Sequence, residues 1–339
     1  MALSQAGRSD IPWGVKRALW ILGISFCGFL PALVHGGNMV AGDGQKRVPP
    51  EPSVLPQNLL GMPSFSFGRM GAATDLPGYA VGTAYHLHQF KSDFEDGGGD
   101  LRSDDFSLWT PVLPVNLGDF HLFGFASYRA TWFRSSLPEL LPGNDLNVFR
   151  FPVAFVHDVS ERWMWGGFVM PGYGGAASSW NSEGFSLSAL LGAAYAWSPR
   201  FNLGAGVLYY TGFNQSYVAP GVGFTWRPVD DWELFLIPPS AGITCSINEK
   251  TLLSAGGTYD SARWNFAADG AAPERNIYIR RVRVGLKLER QIGGPVWGYV
   301  SGGYSLFRKL EIEDRDGTLL REEDIEPAPY VQVGVNARF

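Results

Sequence analysis

The last ten residues constrain the fold more than any other part of the chain. Val331, Val333, Val335, Ala337 and Phe339 fall at every second position, with Gln332, Gly334, Asn336 and Arg338 between them. A period of two sends successive side chains to opposite faces of an extended strand, here one apolar face and one polar or small face. Three other runs repeat the format. Phe201, Leu203, Ala205, Val207 and Tyr209 alternate with Asn202, Gly204 and Gly206, and Ala241, Ile243, Cys245 and Ile247 alternate with Gly242, Thr244, Ser246 and Asn248. Val282, Val284, Leu286 and Leu288 alternate with Arg281, Arg283, Gly285, Lys287 and Glu289. Downstream of Gly78 helical spacing is nearly absent, so the chain reads as a series of amphipathic strands of about ten residues separated by turn clusters.

Composition narrows the class. Only 17% of the 339 residues are charged, against about 25% in an average soluble domain, while 14% are aromatic and 43 are glycine. The mean hydropathy of −0.03 excludes a bundle of membrane helices, which needs several apolar runs of about 20 residues. A net charge of −5 offers no basic footprint for nucleic acid.

Alternation alone fits a soluble sandwich as well as a barrel, and a secreted β-sandwich is the weaker alternative. Three features favour an antiparallel up-and-down β-barrel in a membrane. Aromatics cluster near the strand ends (Trp132, Trp163, Trp165, Tyr195, Trp197, Tyr209, Tyr210, Trp226, Trp232, Trp264), where amphipathic rings anchor at membrane interfaces. Connections alternate between long and short. The chain also stops on Phe339 at the end of a clean amphipathic strand. Counting connections gives about fourteen strands over residues 78–339, with twelve as the alternative. If one strand ran through Pro238-Pro239 the count would fall to thirteen, but two adjacent prolines suit a turn better than a ladder.

The N-terminus reads as an export signal. Arg8, Lys16 and Arg17 precede an uncharged stretch from Ala18 to Val34, with small residues beyond it, which is the layout of a secretory signal peptide over residues 1–36. Phe26 before Cys27 argues against a lipid anchor. Residues 37–77, rich in Gly and Pro, form a linker.

The closing segment Tyr330-Val331-Gln332-Val333-Gly334-Val335-Asn336-Ala337-Arg338-Phe339 resembles the C-terminal signature of bacterial outer-membrane β-barrels, although an aromatic is commoner at the place of Ala337. That resemblance implies that the barrel-assembly machinery reads Phe339 as an assembly signal, and that outer-membrane lipid and lipopolysaccharide surround the protein. The Gly-rich strands and turns such as Arg227-Pro228-Val229-Asp230-Asp231-Trp232 also resemble a domain-of-unknown-function family of outer-membrane barrels. This implies location and architecture and brings no substrate.

Signals for chemistry are sparse. His86-Leu87-His88 places two imidazoles on one strand face without a third ligand nearby, and His157-Asp158 falls at a turn. There is no Gly-x-Ser-x-Gly elbow, and Gly172-Tyr173-Gly174-Gly175-Ala176-Ala177 lacks the helix that a dinucleotide site needs. No catalytic residue, cofactor or metal site is expected. Charge is more informative. Residues 91–105 hold six acids against two bases, and residues 311–326 eight against two, a pattern that suits a solvated rim or one bridged by divalent cations. Arg281, Arg283, Lys287 and Glu289 share the polar face of one strand and are expected to point into the lumen together with Arg150 and Arg129, because charges cannot cheaply face lipid. They line either a pore favouring anionic solutes or a lumen plugged by ion pairs with Glu289 and Asp260. The expected function is a porin-like or channel barrel for small solutes, with a non-conducting structural or adhesion barrel, or an outer-membrane enzyme with a rim site, as alternatives.

Overall fold

A computed structural model describes Leu59, Leu60, Met62, Pro63 and residues 80–338 apart from 97, 118, 137–145, 161, 177–181 and 267–273. The expected signal peptide, the expected assembly signal Phe339 and nearly all of the expected linker lie outside the described residues. Within the linker range, Leu59–Leu60 and Met62–Pro63 form a two-residue ribbon.

The strands are β1 (Ala80–Asp93), β2 (Asp100–Leu117), β3 (Phe120–Ser135), β4 (Leu146–Arg150 resuming as Val153–Asp158), β5 (Trp163–Ala176), β6 (Phe185–Ser198) and β7 (Phe201–Gly212). They continue as β8 (Gln215–Trp226), β9 (Trp232–Ile237), β10 (Ser240–Asn248), β11 (Thr251–Phe266), β12 (Arg275–Gly293), β13 (Val296–Asp314) and β14 (Leu319–Ile325 resuming as Ala328–Arg338). Each pairs antiparallel with its sequence neighbours, and β14 returns to β1 through Tyr330↔Gln89 to Arg338↔Ala80. The ring therefore closes on fourteen strands, which disposes of the twelve- and thirteen-strand counts. Two strands are interrupted. Phe151-Pro152 breaks β4 and Glu326-Pro327 breaks β14, and in each gap a flanking backbone group still bonds a neighbouring strand, Phe125 N to Pro152 O (2.9 Å) and Glu326 N to Asp93 O (3.0 Å). Pro238-Pro239 is a turn between β9 and β10, as two missing donors require.

Both ends of the ring, Ala80 and Arg338, lie at the end of the barrel that carries the short turns. The outer wall is apolar: Val169, Leu191, Val207, Leu286, Val300 and Val333 are all exposed. Trp163, Trp165, Trp197, Trp226 and Trp232 are also exposed and form a girdle beside the short turns. Arg281, Arg283 and Glu289 of β12 are buried on the opposite face from Leu286 and Leu288. Two aromatics depart from the girdle pattern. Trp264 is 0% exposed inside the barrel, and Tyr210 shares the inward face with Tyr217.

One bulge changes which residues of β13 face inward. The β12–β13 register shifts between Arg280 and Val282, opposite Leu306 to Lys309, and Phe307 adopts left-handed backbone with φ of 49°. A bulge inserts one extra residue and resets alternation beyond it. Ser305 faces in, Phe307 is thrown outward, and Arg308, Leu310 and Ile312 then face in.

Candidate functional site

The barrel interior is layered. Toward the long connections lies an apolar layer in which Phe94, Leu101, Phe133, Trp264, Ile277 and Ile312 converge from β2, β3, β11, β12, β13 and the end of β1. Trp264 meets Phe133 edge to face at 5.6 Å, a favoured aromatic geometry.

Below it four charged side chains cross the lumen. Asp105 of β2 and Arg129 of β3 stand on one wall, and Asp260 of β11 and Arg281 of β12 on the other. Arg129 Nη1 lies 2.9 Å from Asp260 Oδ1 and its Nη2 3.0 Å from Asp105 Oδ2. Arg281 Nη2 reaches Asp105 Oδ2 at 2.7 Å and Asp260 Oδ2 at 2.9 Å. Thr131 Oγ1 donates to Asp105 Oδ1 at 2.5 Å. Arg283 stands 3.7 Å from Asp260, so three guanidiniums share two carboxylates. All five are buried, and the pairs that Arg129 and Arg281 make are held by hydrogen bonds as well as charge, as buried ions require, whereas Arg283 hydrogen-bonds Gln332 instead.

Beneath the network the two halves of the barrel differ. Trp109, Phe123, Phe125, Met164 and Phe168 fill one side, with Trp109 stacked on Phe125 at 4.4 Å. On the other side lies a chamber of about 190 Å³, lined among others by Arg283, Lys287, Tyr299, Gln332 and Arg338. Lys287 Nζ is 3.2 Å from Glu289, and Arg338 Nε and Asn336 Nδ2 donate to Glu289 Oε1 at 2.6 and 3.0 Å.

The six lumen residues expected from sequence thus face inward and fall into three groups. Arg129, Arg281 and Arg283 belong to the central network. Lys287 and Glu289 pair at the chamber wall. Arg150 lines a second cavity of about 130 Å³ beside β11. The structure adds Asp105 and Asp260 as the groups that join opposite walls, together with Arg308. The Arg308 guanidinium is buried, donates to Ser92 Oγ and, at 3.0 Å, to Glu326 O, and leaves Nε and Nη2 without partners among the described residues. Asp105 was hidden in sequence by its acidic neighbours. Its signal is the alternation Leu101, Ser103, Asp105, Ser107, Trp109, which places it on an inward strand face instead of in a loop.

The imidazole pair sits elsewhere. His88 Nδ1 lies 2.7 Å from Asp104 Oδ1 and His86 Nε2 3.7 Å from the same atom. These residues share the outward face with Val331 and Val333 through the register. Among the described residues no group of three or more His, Cys, Asp or Glu is placed to hold a metal ion. Many charges in the acidic segments are paired: Lys91 with Asp100 at 2.8 Å, Arg280 with Glu311 at 2.8 Å, Arg321 with Glu323 at 2.5 Å, and Lys309 with Glu322.

A family model described as a domain of unknown function (DUF6268) matches residues 131–338. No curated protein matches. Among solved structures the chain is similar to the NanC porin, at 9% identity and a TM-score of 0.36 over 76% of this chain and 100% of that one. It is similar to the Pseudomonas putida toluene transporter TodX at 10% identity and a TM-score of 0.35, over 76% and 89%. It is also similar to the Salmonella typhi outer membrane phospholipase at 13% identity and a TM-score of 0.34, over 79% and 95%. At such identities and TM-scores these likenesses decide neither function nor location.

Proposed function

The chain belongs to the family defined by a domain of unknown function (DUF6268), and from that premise we propose an outer-membrane β-barrel of the channel type whose lumen is held shut by the Asp105–Arg129–Asp260–Arg281 network. A small solute passes along the axis only when that network parts. One observation carries the reading: charges from opposite walls meet across the centre at 2.7–3.0 Å. An apolar wall with an aromatic girdle at the short turns supports the membrane setting. In that setting the short-turn end faces the periplasm, the acidic segments face outward among lipopolysaccharide, and Phe339 is read by the assembly machinery.

Planar-bilayer recording tests the closed lumen. The wild-type barrel is expected to be silent or to open rarely. Asp105→Asn with Asp260→Asn removes both carboxylates and leaves the arginines to repel one another, so open probability is expected to rise by at least about tenfold, equivalent to about 1.4 kcal/mol. Steady wild-type conductance sinks the closed-lumen reading. Silence in both proteins favours a permanently sealed barrel, the second reading, which the apolar layer around Trp264 supports.

A further inference from the structure

The barrel wall has a hole in its hydrogen-bond ladder. β8 pairs with β9 only through Phe224↔Leu236, Thr225↔Phe235 and Trp226↔Leu234, because the β9–β10 hairpin turns back at Pro238-Pro239. From Gln215 to Gly223, the backbone of β8 pairs in the ladder with β7 alone among the described residues. On the far side of the hairpin, pairing of β11 with β10 ends at Thr258↔Ser240, with one further bond from Tyr259 N to Pro239 O at 2.9 Å. Among the described residues β11 then makes no further ladder pair on that edge until its parallel bridge Asn265↔Gly175 to β5, whose Gly174 lies against the Arg263 carbonyl.

The cavity beside β11 lies in this gap. Tyr259, Asp260, Ser261, Ala262 and Arg263 all line it. In a continuous sheet only every second residue can reach one cavity, so five consecutive lining residues mean that the cavity wraps around a bare strand edge. Within a bilayer an open edge is tolerated only where it is covered by protein or lines a water-filled space. Pro220, which has no N–H to leave unsatisfied, sits in the bare stretch of β8, as edge strands allow.

We infer that this gap is a lateral opening, and that its cavity takes the acidic head of a single-chain amphiphile from the surrounding lipid, a long-chain carboxylate. The inference rests on the membrane reading above. Tyr217 and Tyr259 flank the mouth at 44% and 42% exposure, and Val218 and Val222 outside it present an apolar surface. Inside, Arg263 Nη1 is buried without a partner among the described residues, while its Nη2 donates to Gln215 Oε1 at 2.5 Å and its guanidinium stacks on Tyr278 at 4.1 Å. Ser186 and Ser188 add hydroxyls to the lining. Asp260 also lines the cavity, but its oxygens are engaged by Arg129 and Arg281. A spare guanidinium N–H matches a carboxylate oxygen. The volume of about 130 Å³, roughly that of four waters, admits a head and its first carbons and leaves the tail in lipid.

The test is photolabelling of the full barrel in phosphatidylcholine vesicles with a long-chain fatty acid carrying a diazirine near its carboxylate, read by peptide mapping. Labelling is expected to concentrate at Tyr217, Tyr259 and Ser261, to be displaced by oleate, and to exceed labelling by the matching fatty alcohol. Arg263→Gln is expected to weaken it roughly tenfold, the value of one charged hydrogen bond. Because Arg263 also ties down the β7–β8 tip, Ser261→Trp provides a second variant: it fills the mouth with Arg263 intact and is expected to abolish local labelling while heat-modifiable mobility is retained. Even labelling around the belt at Val284, Val331 and the mouth alike, indifferent to both variants, overturns the lateral site but leaves the membrane barrel standing. A chain that stays soluble without detergent and takes no label overturns both.

Discussion

Asp260→Asn measures whether the centre of the barrel is dry. Asp260 is 6% exposed and faces Arg129 and Arg281 at 2.9 Å and Arg283 at 3.7 Å. Among the described residues, neutralising it leaves Asp105 as the only carboxylate paired with Arg129 and Arg281 and leaves Arg283 without a nearby carboxylate. In a dry interior, removing one partner of a buried pair costs about 3–5 kcal/mol, since the remaining charge is left uncompensated. In a water-filled pore the same contacts are worth about 0–1 kcal/mol each, and Asn retains part of the hydrogen bonding, so the loss stays near 1 kcal/mol. With a urea slope of about 2 kcal/mol/M, the dry case moves the midpoint in lipid vesicles down by about 2 M. Adding Arg283→Met to Asp260→Asn removes the stranded cation and is expected to recover about 1–2 kcal/mol, a coupling within the usual range for contacting residues. A single-variant loss below about 1 kcal/mol with no recovery in the double variant would show that water reaches the network, and the closed-lumen reasoning would fall.

Leu286→Arg, at a position 59% exposed on the outer wall, is expected to cost about 2–4 kcal/mol in lipid; a change within 0.5 kcal/mol, roughly that of an ordinary surface site, would remove that face from the hydrocarbon. Gly303→Ala would drive a methyl into the Val284 carbonyl of the neighbouring strand, whereas the same change at Gly293 meets open space. The first is expected to lose about 1–3 kcal/mol and much of its heat-modifiable band, and the second to lose neither. Trp264→Ala should cost about 3–5 kcal/mol, as for a large buried side chain; a cost below about 1 kcal/mol would return Trp264 to the membrane interface.

The candidate site was half legible. Strand parity alone sent Arg281, Arg283, Lys287 and Glu289 inward, because one face of β12 is occupied by Val284, Leu286 and Leu288. Parity says nothing about which strands face one another across a ring, so the partnership of Arg281 with Asp105, 176 residues apart, could not be read along the chain. The bulge at Phe307 did leave a trace. Leu306-Phe307 and Arg308-Lys309 break the alternation that resumes at Leu310 and Ile312, and that break is the mark of a reset register. Trp264 and Tyr210 misled because aromatic type near a strand end signals an interface only when the side chain points outward.

The sequence by itself determined the class: a period of two over strand after strand, short turns alternating with longer connections, and prolines at Pro238-Pro239 where a ladder cannot continue. These are local properties, since backbone alternation and missing N–H groups act within a few residues. Only the tertiary structure decided which charges meet across the lumen. That depends on how far apart opposite walls stand once fourteen strands close, and on a β9–β10 hairpin too short to fill the gap between β8 and β11. Both are distances across the ring, and no spacing along the chain encodes them.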